Sequence, residues 1–228
     1  MTHSGKCHAI IVAAGAGTRM GLDGPKQFAD LQDRPIWIRT LDVFIGCAAV
    51  HGITVVIPSG YKARCREMLD KHNITHPISL IRGGADRGES VCNALRTLPQ
   101  NTDIVLIHDS VRPFVTAAQI EAVAEQTRLH AAAVLAVPVK DTVKTLNKTG
   151  DIAQTPDRSR LVLAQTPQGF NKNLLQRAYD AAETDGFLGT DDASYVERLG
   201  ICPVVVEGDY RNIKLTTPED MLLAEAFL

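Results

Sequence analysis

The sequence predicts an α/β fold: a Rossmann-like, doubly wound and mainly parallel sheet with an inserted β-hairpin arm. Three observations carry that expectation. The apolar run Ile10-Ile11-Val12 ends in small residues and glycines, Ala13-Ala14-Gly15-Ala16-Gly17, as a buried strand feeding a phosphate-cradling loop does. Downstream, short apolar runs alternate with helical patterns in the manner of β-α-β units. A single segment, about 140–165, breaks that alternation with hairpin chemistry.

Gly15 and Gly17 permit positive φ, and the small side chains of Ala13, Ala14 and Ala16 let a polyphosphate approach backbone N–H groups. Arg19 and Lys26 follow as cations, and Pro25 stiffens the chain just before Lys26. The loop is not a dinucleotide fingerprint, because Met20 stands where a third glycine or alanine belongs and Gly21 comes one place late. Nor is it a P-loop, since no Lys-Ser or Lys-Thr follows the glycines.

The second strand, Ile53–Ile57, ends in Pro58-Ser59 without an acid to hold a ribose 2′-OH. Further strands are expected at Ile78–Arg82, Ile104–His108 and Ala132–Val139, buried on both faces. Helices are expected from Pro35, after Ser59, after Thr116, after Asn171 and at Thr217-Pro218-Glu219-Asp220, which combines an N-cap, an N1 proline and first-turn acids. The arm reads as Thr142–Leu146, a turn over 147–151, and a return strand from Ile152 to Leu163. Its unpaired edges call for cover, and a second copy of the chain supplies it, so a homodimer through the arm is expected.

The 228 residues fit a single domain spanning 1–228. A net charge of −2 without a Lys/Arg block points away from nucleic acid and towards a small anionic substrate. No secretory leader or membrane-length apolar run is present, so a cytoplasmic protein that engages no membrane is expected. The five cysteines, Cys7, Cys47, Cys65, Cys92 and Cys202, are odd in number and never in C-x-x-C spacing, and read as reduced core thiols. The seven histidines are scattered apart from His72 and His76, and no transition metal is implied.

Ligands of open α/β sheets bind outside the carboxyl ends of the strands. After the third strand, Arg82-Gly83-Gly84-Ala85-Asp86-Arg87-Gly88-Glu89-Ser90 suggests a backbone-lined pocket in which Ser90 and main-chain groups read a base edge. The nucleotide set is therefore Ala13, Ala14, Gly15, Gly17, Gly83, Asp86 and Ser90. The fourth strand ends in His108-Asp109-Ser110-Val111-Arg112-Pro113; Asp109 is either a Mg²⁺ ligand or a turn cap, and His108 a packed strand residue. Thr142, Arg158, Arg160 and Thr166 follow along the arm and past it, with arginine forks suited to a phosphate monoester or else to plain surface charge. Lys214 lies in an apparent short apolar strand, where an inward-facing cation requires an anionic partner.

Taken in order, A-A-G-x-G-x-R-M, P-K-Q, G-G-x-x-R-x-x-S-V, H-D-x-x-R-P, V-x-D-T, D-R-S-R-L, Q-T-P-Q-x-F, T-D-D-A-S and N-I-K-x-T-x-P-E-D resemble the cytidylyltransferases of the non-mevalonate isoprenoid pathway. The resemblance implies transfer of a cytidylyl group from CTP to methylerythritol 4-phosphate, a polyol phosphate, with Mg²⁺ and pyrophosphate release, in a homodimer whose arm completes the partner's site. It assigns Arg19, Lys26 and Lys214 to charge stabilisation at the α-phosphate, Gly83 and Ser90 to cytosine, and Ala14 to the ribose side. Asp109 would sit at the metal and substrate, and Arg112, Thr142 and Arg158 of the other subunit would hold the alcohol phosphate, with Arg160 the alternative to Arg158. Thr166 completes the substrate set. A ribitol 5-phosphate cytidylyltransferase and a non-catalytic nucleotide-binding regulator are the alternatives. The absence of a nucleophile-base pair suits the transferase, because a phosphate monoester with a second pKa near ~6 is already mostly dianionic at neutral pH.

Overall fold

The computed structural model describes residues 5–15 and 24–228; Gly17 and Arg19 lie outside the described residues. The chain begins with β1 (Lys6–Val12), a two-stranded ribbon of β2 (Asp30–Leu31) and β3 (Arg34–Pro35), and α1 (Ile36–Ile45). It continues through β4 (Gly52–Ile57), α2 (Lys62–Lys71), β5 (Ile78–Arg82), α3 (Arg87–Leu95), β6 (Thr102–Asp109), α4 (Ala117–His130) and β7 (Ala132–Pro138). The arm carries β8 (Thr145–Leu146) and β9 (Ile152–Gln154), and the chain returns through β10 (Val162–Asn171), α5 (Lys172–Asp185), α6 (Asp192–Glu197), β11 (Val204–Glu207) and α7 (Pro218–Phe227).

Seven strands form one sheet in the order β11-β7-β10-β6-β1-β4-β5, parallel except for β10, which runs antiparallel to both β6 and β7. The parallel strands are nearly continuous apolar runs because helices cover both faces. Period-two alternation divides the core: Cys7, Ala9 and Ile11 of β1 join Trp37, Leu41 and Phe44 of α1 and Ile120 and Val123 of α4. Ile10 joins the opposite layer with Val91 of α3, Leu175 and Tyr179 of α5, and Val196 of α6. Helix starts follow the local chemistry, with capping boxes at Thr116 and Thr217 and side-chain caps at Asp86 and Asn171.

Several expectations are corrected. The long return strand of the arm is not there: β9 has three residues, and the chain instead enters β10 at Val162 to run between β6 and β7. Pro167, Gly169 and four polar residues disguise β10, and a register shift between Ala164 and Gln168 lets Gln165, Thr166 and Pro167 leave the β7 pairing. Lys214 lies in irregular chain rather than a strand, with Leu215 N–H bonded to Val111 O at 2.9 Å. Cys202 is exposed, whereas the other four cysteines are buried free thiols. Among the described residues, no helix is long and apolar enough to cross a membrane.

Candidate active site

β1 and β6 lie at the switch point from which the chain winds outward in both directions, so the crevice beyond their carboxyl ends is where a ligand is expected. Val12 pairs with Asp109 across that point, Ser110 N–H bonds Val12 O at 3.1 Å, and Ala13 N–H bonds Val56 O at 2.8 Å. A cleft of 440 Å³ opens there, with Ala13, Ala14, Gly15, Lys26, Asp109 and Lys214 among its lining residues. It adjoins a 620 Å³ pocket bordered by Ala14, Ser59, Gly83, Gly84 and Asn93.

The nucleotide side is built by close backbone approach. A Cβ on Gly83 would fall 2.4 Å from Ala14 Cβ and 2.9 Å from Ser90 Oγ, so only glycine fits. Ser90 Oγ accepts from Gly84 N–H at 3.0 Å and donates to Asp86 O at 2.7 Å, which fixes the loop with one lone pair to spare. Asp86 lines the cleft while capping α3 through Glu89 N–H at 2.8 Å. Gln27, missed as a functional residue, is 2% exposed and donates its amide to the carbonyls of Ala13 and Gly15, shaping the exit of β1. Lys26 beside it lines the cleft from a 3-10 turn.

Asp109 is the centre of the other side. Its Oδ2 lies 2.8 Å from Lys214 Nζ and 3.7 Å from Arg112 Nε, and its Oδ1 lies 3.7 Å from Arg87 Nε. Burial alone would raise this carboxyl, but the attraction of Lys214, then of Arg87 and Arg112, holds it well below the usual carboxylate range. Arg112 belongs to the same chain as this carboxylate, with Nη1 donating to Asn212 O at 2.7 Å.

Thr166, on the segment that leaves the β7 pairing, does not offer its hydroxyl to the cleft. It accepts from Asp109 N–H at 3.1 Å and bonds His108 Nδ1 at 3.0 Å, while His108 Nε2 reaches Arg112 O at 3.1 Å. A carbonyl at Nε2 requires the proton there, so Thr166 donates its proton to Nδ1 while accepting from Asp109 N–H, and both bonds brace Asp109. Thr166→Val strands both partners, and a loss of about 1–3 kcal/mol of stability is expected in urea unfolding. Asn212 strengthens the bracket: fully buried, it donates to Thr166 O at 2.9 Å and Gln165 Oε1 at 3.2 Å, tying the Lys214 segment to β10.

Burial pushes both His108 and His8 down to about 4. Between pH 6.5 and 4 the unfolded chain therefore binds protons that the folded chain refuses, and stability falls as the pH is lowered through that window, by on the order of 3 kcal/mol per imidazole at most. Denaturation midpoints at pH 7, 5.5 and 4.5 check this, and His8→Gln flattens the fall.

Among the described residues, no group of three or more His, Cys, Asp or Glu is gathered to hold a metal. Asp109 is already faced by Lys214, Arg87 and Arg112, so a Mg²⁺ there would displace one of these cations and take its other ligands from phosphate oxygens and waters, not from a protein cage. Thr142 and Arg158 are exposed on the arm and do not line the cleft of their own chain; Arg158 Nη1 donates to Lys140 O at 2.9 Å.

A family model described as 2-C-methyl-D-erythritol 4-phosphate cytidylyltransferase matches residues 7–228. The chain belongs to that family. It is a cytidylyltransferase, hence a nucleotidyltransferase, of isoprenoid biosynthesis. The 2-C-methyl-D-erythritol 4-phosphate cytidylyltransferase of Geobacter metallireducens is 47% identical over 224 residues, covering 96% of each chain. That of Desulforamulus reducens is 44% identical over 225 residues, covering 98% of this chain and 96% of the relative. The crystal structure of 4-diphosphocytidyl-2C-methyl-D-erythritol synthase from Anaerococcus prevotii superposes with a TM-score of 0.88 at 30% identity, over 98% of this chain and 96% of that one. The corresponding cytidylyltransferase of Thermus thermophilus gives 0.78 at 31% identity, over 97% and 98%. For a cytidylyltransferase, the division of the cleft is chemically sensible: backbone and small residues on one side, charge on the other.

Proposed function

We propose that this chain joins CTP to 2-C-methyl-D-erythritol 4-phosphate, giving 4-diphosphocytidyl-2-C-methyl-D-erythritol and pyrophosphate, as a single cytoplasmic nucleotidyltransferase domain. The observation that carries the reading is Asp109 at the tip of β6, ringed by Lys214, Arg87 and Arg112 beside the loop that follows β1. The family and its full-length relatives support the substrates, and their shared name favours methylerythritol phosphate over ribitol phosphate.

In the transfer, an oxygen of the polyol phosphate attacks the α-phosphorus of CTP, one P–O bond forms, and the bond to the departing pyrophosphate breaks. The nucleophile is already dianionic, so no general base is needed. The task is to hold two anions in line and spread the charge that develops. Lys26 and Lys214, both lining the cleft, supply that charge, with Arg19 added by the resemblance of its motif. Mg²⁺ bound through phosphate oxygens and the Asp109 carboxylate would neutralise the triphosphate. Ala13, Ala14, Gly15, Gly83 and Ser90 hold the nucleotide by backbone approach, with Asp86 shaping their loop. Arg112 faces the polyol phosphate, while Thr142 and Arg158, or Arg160 in its place, reach it from a partner's arm. Leu146, Ile152, Val162 and Leu163 on and beside the arm are exposed, which supports cover by a second copy.

Pyrophosphate release from CTP and Mg²⁺ is to be measured with 2-C-methyl-D-erythritol 4-phosphate or ribitol 5-phosphate in parallel. Release with the first alone is expected. Release with the second alone moves the activity to another polyol, and CTP binding without release in either tube overturns catalysis in favour of a regulator.

A further inference from the structure

We propose that Asp192, which lies outside the cleft, is a positioning residue for the transfer: it aims Arg87 so that Asp109 is held in the orientation met by the polyol phosphate. The inference rests on the functional reading above and extends it to a residue that touches no substrate.

Asp192 opens α6 and is fully buried. Its Oδ2 takes Arg87 Nη2 at 2.5 Å and its Oδ1 takes the Tyr179 hydroxyl at 2.7 Å. The same guanidinium turns its Nε towards Asp109 Oδ1 at 3.7 Å. A guanidinium is planar and rigid, so fixing one edge on Asp192 fixes the direction of the other edge on Asp109. Lys214 and Arg112 both approach Oδ2, which leaves Arg87 as the cation at Oδ1 among the described residues. The rotation of the Asp109 carboxylate therefore depends on Arg87.

The surroundings make Asp192 a fixed anchor. Gln168 of β10 pairs with Ile107 of β6, two residues before Asp109. Its amide donates to Asp191 Oδ2 at 2.8 Å and accepts from Ala193 N–H at 3.0 Å. The loop carrying Asp192 is thus tied to the strand that carries Asp109, and Arg87 closes the ring from α3. Next to it, a Cβ on Gly88 would lie 2.4 Å from the Tyr195 hydroxyl, so the first turn of α3 is pressed onto α6. A fully buried ion pair is a poor device for stability, since apolar residues of similar volume serve as well or better. The direction it imposes on a cleft-facing arginine is something apolar packing cannot supply. Without Asp192, Arg87 is released to turn towards the triphosphate or water, and Oδ1 of Asp109 loses its partner.

The test is steady-state pyrophosphate release with each substrate varied in turn, for the wild type, Asp192→Asn, Arg87→Lys, the double variant and Tyr179→Phe. Asparagine keeps the shape and an acceptor for Tyr179 but removes the charge; a lysine cannot span both carboxylates. In each single variant at the ion pair, kcat/KM for the polyol phosphate is expected to fall about tenfold or more, the scale of a misplaced reactive geometry. The KM for CTP should stay within about threefold of wild type, and the double variant should be no worse than Arg87→Lys alone. Tyr179→Phe, which loses only the phenol bond, lowers the melting temperature and leaves the kinetic constants in place. Wild-type constants in Arg87→Lys, or an equal loss for both substrates, overturn the positioning role. If Asp192→Asn does not fold, Arg87→Lys decides, because its side chain is 28% exposed. A wild type silent with the polyol phosphate overturns the functional reading and the positioning role with it; an active wild type and an unaffected Arg87→Lys overturn the positioning role alone.

Discussion

Lys214→Ala and Lys26→Ala are each expected to lower kcat by on the order of 10²-fold or more, the usual scale for removing one preorganised charge from a developing oxyanion. Both lysines line the cleft, and Lys214 reaches it from irregular chain with 40% of its side chain exposed. Stability should survive the loss of Lys214, because Asp109 keeps Arg87 and Arg112 as counter-charges and remains ionised. Lys26 sits in a turn whose neighbour, Gln27, is locked to the carbonyls of Ala13 and Gly15. Single-turnover rates at saturating CTP and polyol phosphate check the point, with melting temperatures as the control. Near-wild-type turnover in both variants would refute the assignment of charge stabilisation to these lysines.

The parts of the site that were legible in the sequence are those set by local chemistry. A buried parallel strand is an apolar run, a phosphate-cradling loop needs small residues, and a strand tip is where a run such as Ile104–Ile107 gives way to His108 and Asp109. The bracket around Asp109 was not legible, because a buried polar group is defined by partners distant in the chain. Asn212 meets Thr166 across 46 residues, and Arg87 meets Asp192 across 105. Asp86, Ser90 and Thr166 look like ligands in one dimension, yet each spends hydrogen bonds on holding backbone in place. β10 was hidden for a different reason. A strand whose interior is Gln165-Thr166-Pro167-Gln168-Gly169 has the composition of a loop, and partners distant in the chain satisfy its backbone, β6 and β7 from Gln168 onward and the Asn212 side chain at Thr166 O.

Mixing two inactive variants is expected to restore activity. Thr142, Arg158 and Arg160 are exposed on the arm, away from the cleft that contains Lys214 and Asp109 in the same chain. If the arm of one copy completes the cleft of another, a chain carrying Lys214→Ala has a spoiled cleft but a sound arm. A chain carrying Arg158→Ala with Arg160→Ala has the reverse. In a two-fold dimer of one of each, one site collects every defect and the other collects none. Random exchange of equal amounts makes half the dimers mixed, so about a quarter of all sites regain wild-type composition. Each variant alone should remain far below that level, since losing a phosphate-gripping arginine or a charge-stabilising lysine both act on the same transfer. Co-unfolding and refolding of the two chains, followed by the pyrophosphate assay, reads the outcome. Activity no greater than the sum of the separate variants would place the arm's arginines in service of their own chain, or outside the reaction altogether.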